Sequence, residues 1–237
     1  MEQNVIKKLP LAQMFDCTNK CVLANLKSVL AFSFVNFFIL LAGVYSWKTI
    51  IFLPLLVLGY IFWCYFFRYY FRRYPYFDGR IIFQSTVSST KILFFSMILV
   101  TIIVVLPIVP LFLGLPQDMT ESYQRFLQKY MLESDWLDLG LHLVVTILSP
   151  YIIYRPFLAW ISSLLGRAGS IHEAWKKTSG NYWQFLMLAL IFNFGFVIVQ
   201  QITEYLNAPL AVLMFIVSPL IVYCNMVLAR IYQFFFL

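Results

Sequence analysis

Residues 154–183, YRPFLAWISSLLGRAGSIHEAWKKTSGNYW, lie between two long apolar runs and contain the clearest helix signal in the chain. Ser170 and Glu173 match a capping box, in which a hydroxyl and a carboxylate bind free N–H groups at the start of a helix. Gly180 is a typical helix stop. The stripe between these signals follows helical spacing: Ile171, Ala174, Trp175 and Thr178. Because His172 and two lysines occupy the opposite face, the pattern predicts a short helix on a membrane surface.

The composition of the whole chain supports a membrane location. Of 237 residues, 62% are hydrophobic and 11% are charged, and the mean hydropathy is +0.83. A soluble domain usually has about a quarter of its residues charged. The polar groups of this chain are too few to cover its surface. Lipid must therefore serve as part of its solvent.

Six apolar runs are long enough to cross a membrane, because one crossing needs about 20 apolar residues. They are residues 28–46, 49–67, 92–115, 137–154, 183–202 and 210–229. We therefore predict an all-α polytopic membrane protein, with six transmembrane helices in three hairpins and short amphipathic interfacial helices on the cytoplasmic face. We expect one domain over residues 1–237. The first apolar run is long enough to be a signal anchor, so we expect no removable signal peptide.

The basic residues predict the orientation. If the N-terminus is cytoplasmic, only Lys48, Arg125 and Lys129 of the 17 lysines and arginines fall outside. Cytoplasmic loops carry such an excess of lysine and arginine. We therefore predict that both chain ends are cytoplasmic. The net charge of +7 is explained by this asymmetry, and we expect no nucleic-acid partner.

The basic and aromatic residues of the inner face are the main candidate site. They are Arg68, Arg72, Arg73, Arg80, Arg155, Arg167, Trp175, Lys176, Lys177 and Arg230. One interpretation is an interfacial collar that holds the helices at headgroup level. The other is recognition of anionic lipid headgroups, worth about 1 kcal/mol per basic residue near a charged leaflet. The two interpretations overlap.

Amphipathic segments precede the hairpins. In the first 27 residues, an apolar thread predicts a surface helix: Leu11, Phe15, Val22 and Leu26. An aromatic-x-x-Thr motif stands before each of three hairpins: Phe15 to Thr18, Phe83 to Thr86 and Trp175 to Thr178. Either these matches arise by chance in an aromatic-rich chain, or the bundle consists of three repeats of a surface helix and a hairpin.

Few residues suggest chemistry. Asp138 and His142 lie one helical turn apart and could form a proton relay or half of a metal site, but two ligands are too few for a metal, and we favour structural pairing at the interface. Cys17 and Cys21 are too few for a closed zinc site, and we expect reduced thiols. We therefore predict no catalytic residue, no metal and no cofactor.

The polar residues inside the predicted spans allow an alternative function. Amides within a membrane commonly join helices through hydrogen bonds. They can also line a polar cavity, for which the candidates are His142, Asn193, Gln200 and Asn225. The alternative to a lipid-contacting protein is therefore a permease or lipid translocator.

The C-terminal half resembles a bacterial membrane family. The pattern Ser170-x6-Lys177-Thr178-x2-Asn181, a hairpin, and then Tyr223-x6-Arg230-x-Tyr232 is similar to YciC-type inner-membrane proteins. It is also similar to the membrane domain found on some glycerophosphodiester phosphodiesterases. The similarity covers residues 149–232, and His172 stands where the family has a basic residue. The resemblance implies a six-span protein of the bacterial cytoplasmic membrane with no established activity. We therefore expect a non-enzymatic envelope protein that acts through membrane lipids, with anionic lipids among the candidates, or through a membrane-protein partner.

Overall fold

The computed structural model describes residues 8–46, 49, 51–71, 146–148, 153–165 and 171–237. Its helices are α1 (Leu11–Ala24), α2 (Leu26–Ser46), α3 (Phe52–Phe71), α4 (Arg155–Leu164), α5 (Ile171–Lys177), α6 (Tyr182–Tyr205) and α7 (Leu210–Phe236). A further helical fragment covers residues 146–148. Every regular element in these ranges is helical, which confirms the predicted all-α class.

Three of the described helices, α2, α6 and α7, are long and apolar enough to cross a membrane. They correspond to the first, fifth and sixth predicted spans. The second predicted span corresponds to α3, a helix of 20 residues. The third predicted span and most of the fourth lie outside the described residues. Six spans in three hairpins, and a single domain over the whole chain, therefore stay predictions.

Neighbouring helices pack antiparallel in two pairs. In the first pair, α2 and α3, the ring of Phe32 meets that of Phe66 edge-on at 5.0 Å, while Gly59 approaches Ile39. In the second pair, α6 and α7, the rings of Phe185 and Phe235 stack at 6.3 Å. Helix α7 also packs against α2, and it contacts α1, α3 and α4. It is therefore the helix around which the described part of the bundle is assembled.

Polar groups join α2 to α7 inside the apolar contact. Asn36 Nδ2 donates a hydrogen bond to Ser218 Oγ at 3.0 Å, and the Ser218 hydroxyl donates to the carbonyl of Ser33. All three residues are buried. The Ser218 hydroxyl of α7 thus binds two groups of α2, the side-chain amide of Asn36 and the backbone carbonyl of Ser33. Because both bonds join the two helices, they fix the register of the pair.

A double-mutant cycle should detect this register bond. We expect Asn36→Leu and Ser218→Ala to be coupled by about 0.6–2 kcal/mol in the free energy of unfolding, as for other hydrogen bonds within membranes. Asn225 is the matched control, because its Nδ2 donates to Ile221 O in its own helix at 2.9 Å. Coupling of Asn36 to Asn225→Leu should be near zero. Equal coupling in both cycles would contradict the interhelical bond.

The predicted N-terminal surface helix is α1. Three residues of the predicted apolar thread, Leu11, Phe15 and Val22, are half-buried and pack against the core, whereas the fourth, Leu26, begins α2 and is exposed. The opposite face is exposed, and there the hydrogen bond from Lys20 Nζ to Asp16 Oδ2 (2.6 Å) raises the pKa of Lys20 above its usual value. Helix α1 is therefore an amphipathic helix that lies along the bundle.

Buried threonines occur at equivalent places in α1 and just after α5. Thr18 Oγ1 donates to Met14 O at 2.8 Å, and Thr178 Oγ1 donates to Ala174 O at 2.7 Å. Both side chains are fully buried. These are two of the three aromatic-x-x-Thr motifs, and the third lies outside the described residues. The shared geometry is consistent with a repeat, but a threefold repeat stays a prediction.

Two features differ most from the predictions: the end of α7 and the burial of Arg155. Helix α7 was expected to end near Ala229, because Arg230 closes the apolar run, but it continues to Phe236. The reason is aromatic packing: the ring of Tyr232 stacks on Phe236 at 4.7 Å and meets Phe71 at 5.5 Å. These contacts stabilise two further helical turns beyond the arginine.

The other difference concerns Arg155, which was expected at the headgroup surface. It begins α4, and it is only 6% exposed. Pro156 suits the first turn of a helix, where its missing N–H costs nothing. The remainder of α4 is almost entirely buried, and Trp160 and Phe157 contact Phe67 of α3. Helix α4 is therefore part of the core, and a position of Arg155 at the headgroups stays a prediction.

Candidate functional site

A cavity of about 240 Å³ lies where α1, α2, α3 and α7 meet. We call it the end cavity, because it lies beside the start of α2 and the last turn of α3. Its polar wall consists of Cys21, Asn25, Ser28, Tyr69, Tyr70, Arg230 and Gln233. Its apolar wall consists of Val29, Phe32, Phe66 and Met226. A space with a mixed lining at a helix junction is the best candidate binding site in the described part of the chain.

The break between α1 and α2 positions one side of the end cavity. The backbone N–H of Asn25 binds the carbonyls of Cys21 and Val22 at 3.1 and 3.2 Å, which ends α1. Asn25 Nδ2 also donates to Cys21 O at 3.0 Å. One turn later, the hydroxyls of Ser28 and Tyr69 are 2.9 Å apart and join α2 to α3. The cavity is thus bounded by groups with fixed positions.

Arg230 dominates the electrostatics of the end cavity. Its Nη1 donates to Gln233 Oε1 at 2.9 Å, and its guanidinium carbon lies 5.6 Å from the centre of the Tyr70 ring. Its Nε is buried and has no hydrogen-bond partner among the described residues. No carboxylate in the described ranges pairs with it either. The guanidinium is therefore oriented and lies over an aromatic ring, and the described part of the chain gives it no counter-ion.

Helix α5 presents a second basic and aromatic surface. Ala174 is fully buried, whereas Trp175 is 43% exposed and Lys176 is exposed. Lys177 Nζ pairs with Glu173 Oε1 at 2.9 Å and lies 4.6 Å above the ring of Phe236. The predicted stripe is therefore narrower than expected, because its tryptophan faces outward. The capping serine of this helix lies outside the described residues.

The turn after α5 depends on Gly180, whose φ of +78° is a left-handed conformation that favours glycine. This agrees with the predicted helix stop. The turn brings Asn181 to the N-terminus of α6, where its Oδ1 accepts a hydrogen bond from the backbone N–H of Leu9 at 2.7 Å. Its Nδ2 donates to Ser179 O at 3.2 Å. Two motif residues of the C-terminal half, Thr178 and Asn181, thus hold α5 and the N-terminal segment in place.

The predicted surface residues are dispersed. Arg230 lines the end cavity, Arg68 is half-buried in the last turn of α3, and Arg155 is in the core. Trp175, Lys176 and Lys177 share α5. The others lie outside the described residues: Arg72, Arg73, Arg80, Arg167 and, from the alternative site, His142. Cys21, Asn25 and Ser28 were not predicted as cavity residues, although their spacing of i, i+4 and i+7 marks one polar stripe across the junction of α1 and α2.

The polar residues of the alternative cavity occupy separate places. Asn193 Nδ2 donates to Thr146 Oγ1 at 2.9 Å, and Gln200 Nε2 donates to Glu204 Oε1 at 2.8 Å on an exposed face. Asn225 binds a backbone carbonyl of its own helix. None of these three side chains lines the end cavity. Each of the three side chains has a hydrogen-bond partner within the protein, which is consistent with a structural role.

An apolar groove of about 620 Å³ also lies between α2 and α3. Gly43 and Gly59 keep it open, because neither places a side chain there. Its lining is otherwise apolar or aromatic and includes Ile39, Leu56 and Trp63. The groove offers hydrocarbon contact but no charged group, so it carries no chemistry.

The fold and the two basic surfaces indicate a helical membrane protein whose charged and aromatic groups gather at helix ends. No protein-family model, no curated protein and no solved structure matches the chain. The function must therefore be inferred from the residues themselves.

Proposed function

We propose that the chain is a non-enzymatic integral membrane protein of the bacterial cell envelope that acts through lipid or protein-partner contacts at the cytoplasmic surface. The three long apolar helices support the membrane location. Six spans, cytoplasmic chain ends and membership of the YciC-like family are parts of the same proposal. The lopsided distribution of basic residues supports the orientation.

The observation that carries the proposal is the fixed orientation of α5. Its buried side is held by Ala174 and by Thr178, so Trp175 and Lys176 must face away from the bundle. Tryptophan prefers the headgroup level of a bilayer, and lysine is attracted to anionic lipid. A helix that holds both residues outward beside the ends of two apolar helices matches the membrane–water interface.

The charges of α5 indicate which residue matters most. Lys177 already pairs with Glu173 and lies above an aromatic ring, so part of its charge is compensated. Among the described residues, Lys176 has no such partner. A basic residue near an anionic leaflet contributes about 1 kcal/mol. We therefore assign the main lipid attraction of α5 to Lys176.

Lys176→Gln tests this proposal. In nanodiscs that contain phosphatidylglycerol, we expect the variant to lose about 1 kcal/mol of the stabilisation that the wild-type protein gains over phosphatidylcholine nanodiscs. The measurement is thermal unfolding in both lipid compositions. Lys176→Arg keeps the charge and is the matched control, with no loss expected. If both variants keep the full stabilisation by phosphatidylglycerol, the proposal that Lys176 attracts anionic lipid is wrong.

The same preparations separate the alternative. A permease or lipid translocator would show substrate-dependent stabilisation that disappears in Asn193→Leu or Asn225→Leu. The hydrogen bonds of these two residues instead favour a structural role. The alternative is therefore the weaker candidate.

A further inference from the structure

We infer that the end cavity binds an anionic phosphate group, with Arg230 as its cationic contact. This inference rests on the proposed function and deepens it, because it names the ligand chemistry of one inner-end site. The phosphate could belong to a lipid headgroup or to a small soluble phosphate ester. The chemistry of recognition is the same for both sources.

The first argument is charge. Of the described residues that line the end cavity, Arg230 alone has a formal charge, and the described part of the chain provides it with no acid. Placing a cation in a half-enclosed aromatic site costs free energy unless an anion or several hydrogen bonds compensate it. Gln233 supplies only one acceptor. An anionic ligand would supply the remainder.

The second argument is geometry. A guanidinium is a planar fork with five N–H donors, and it matches phosphate better than an ammonium does. Here one donor is used by Gln233, and the guanidinium lies over the ring of Tyr70. The hydroxyls of Ser28 and Tyr69 bind each other, which uses one of their two O–H groups and leaves the other to donate at the exposed side. Among the described residues, the wall thus combines one oriented cation with neutral polar groups and no acid.

The third argument is size. A volume of about 240 Å³ is smaller than the cavities of about 300–1,000 Å³ that enclose drug-sized ligands. It suits a headgroup or a small ester, but not a complete lipid. The apolar wall formed by Val29, Phe32 and Met226 faces the bundle. A phosphate could therefore occupy the polar side while any attached chain lies along the helices.

The chain contains a matched pair of reporters for this site. Cys21 lines the end cavity, whereas Cys17 lies one turn earlier in the same helix and is exposed. We propose to measure maleimide alkylation of both thiols in the full chain in detergent micelles, by peptide mass spectrometry. The probes are phosphatidylglycerol, dioleoylglycerol, glycerol 3-phosphate and inorganic phosphate. We expect phosphatidylglycerol to slow alkylation of Cys21 but not of Cys17.

Variants show whether Arg230 is responsible. We expect Arg230→Gln to raise the half-protecting concentration of phosphatidylglycerol about tenfold, the size of one charge-assisted hydrogen bond. If this variant fails to fold, Ser28→Phe should abolish protection by filling the cavity while keeping the charge. Circular dichroism and gel filtration of each variant report on folding.

Each outcome decides the inference. Protection by phosphatidylglycerol alone supports a lipid headgroup, and equal protection by glycerol 3-phosphate or inorganic phosphate supports a soluble ester. Equal protection by dioleoylglycerol, equal protection of Cys17, or no protection of Cys21 overturns it. So does full protection in a folded Arg230→Gln variant. None of these results changes the expectation for Lys176, so the two proposals fail separately.

Discussion

Replacing Phe67 with alanine is expected to lower the free energy of unfolding by about 3–5 kcal/mol. Phe67 is 0% exposed, and its ring centre lies 5.5 Å from that of Trp160 and 5.7 Å from that of Phe157. It therefore joins α3 to α4. Helices within a membrane associate mainly through close packing, because lipid is as apolar as their side chains. Loss of a complete ring from such a contact leaves a cavity that the surrounding rings cannot fill.

Unfolding of the purified chain in mixed micelles, with increasing sodium dodecyl sulfate, measures this effect. The matched control is Phe34→Ala, because Phe34 of α2 is 57% exposed and its ring meets that of Phe38 in its own helix, at 4.8 Å. The control should lose less than about 1 kcal/mol, since lipid replaces the lost contacts. Similar losses in the two variants would show that α3 and α4 are not packed as described.

The second large effect is expected from Asn181→Leu. Asn181 is 0% exposed, and its carbonyl oxygen accepts the backbone N–H of Leu9, which is also buried. Leucine has a similar size but cannot accept this bond, so a buried N–H remains unsatisfied at a cost of about 1–3 kcal/mol. The N-terminal segment should therefore detach from the bundle more often.

Cleavage by trypsin after Lys8 reports this detachment directly. A cost of about 1.4 kcal/mol corresponds to a tenfold larger open population and, when opening is fast, to tenfold faster cleavage. The comparison variant is Asn19→Ala, which removes only an exposed bond from the Tyr223 hydroxyl at 2.8 Å. It should leave the cleavage rate nearly unchanged. A wild-type rate in Asn181→Leu would mean that Leu9 is held by other contacts.

The sequence predicted those elements whose signal is local. Helices α2 and α6 begin and end within a few residues of the predicted spans, because a continuous apolar run of about 20 residues has one stable form in lipid. Helix α5 was predicted from its periodicity and from Gly180. These features need no knowledge of distant residues.

Features that depend on partners could not be predicted in this way. In the sequence alone, Arg230 marks the end of an apolar run. In the structure its guanidinium lies over the ring of Tyr70, which belongs to another helix, so α7 can continue past it. The burial of Arg155 likewise depends on the neighbours of α4. The end cavity combines residues from four helices, so only its polar stripe on α1 and α2 had a local signal.

The contacts of α7 also set the order in which the molecule can be completed. Asn36 and Ser218 are 182 residues apart in sequence, and at about 5–20 residues per second roughly 10–40 s separate their synthesis. During that interval, α2 has been synthesised, but the side-chain amide of Asn36 lacks its final acceptor. The hydrogen bond between α2 and α7 can therefore form only after Ser218 has been synthesised.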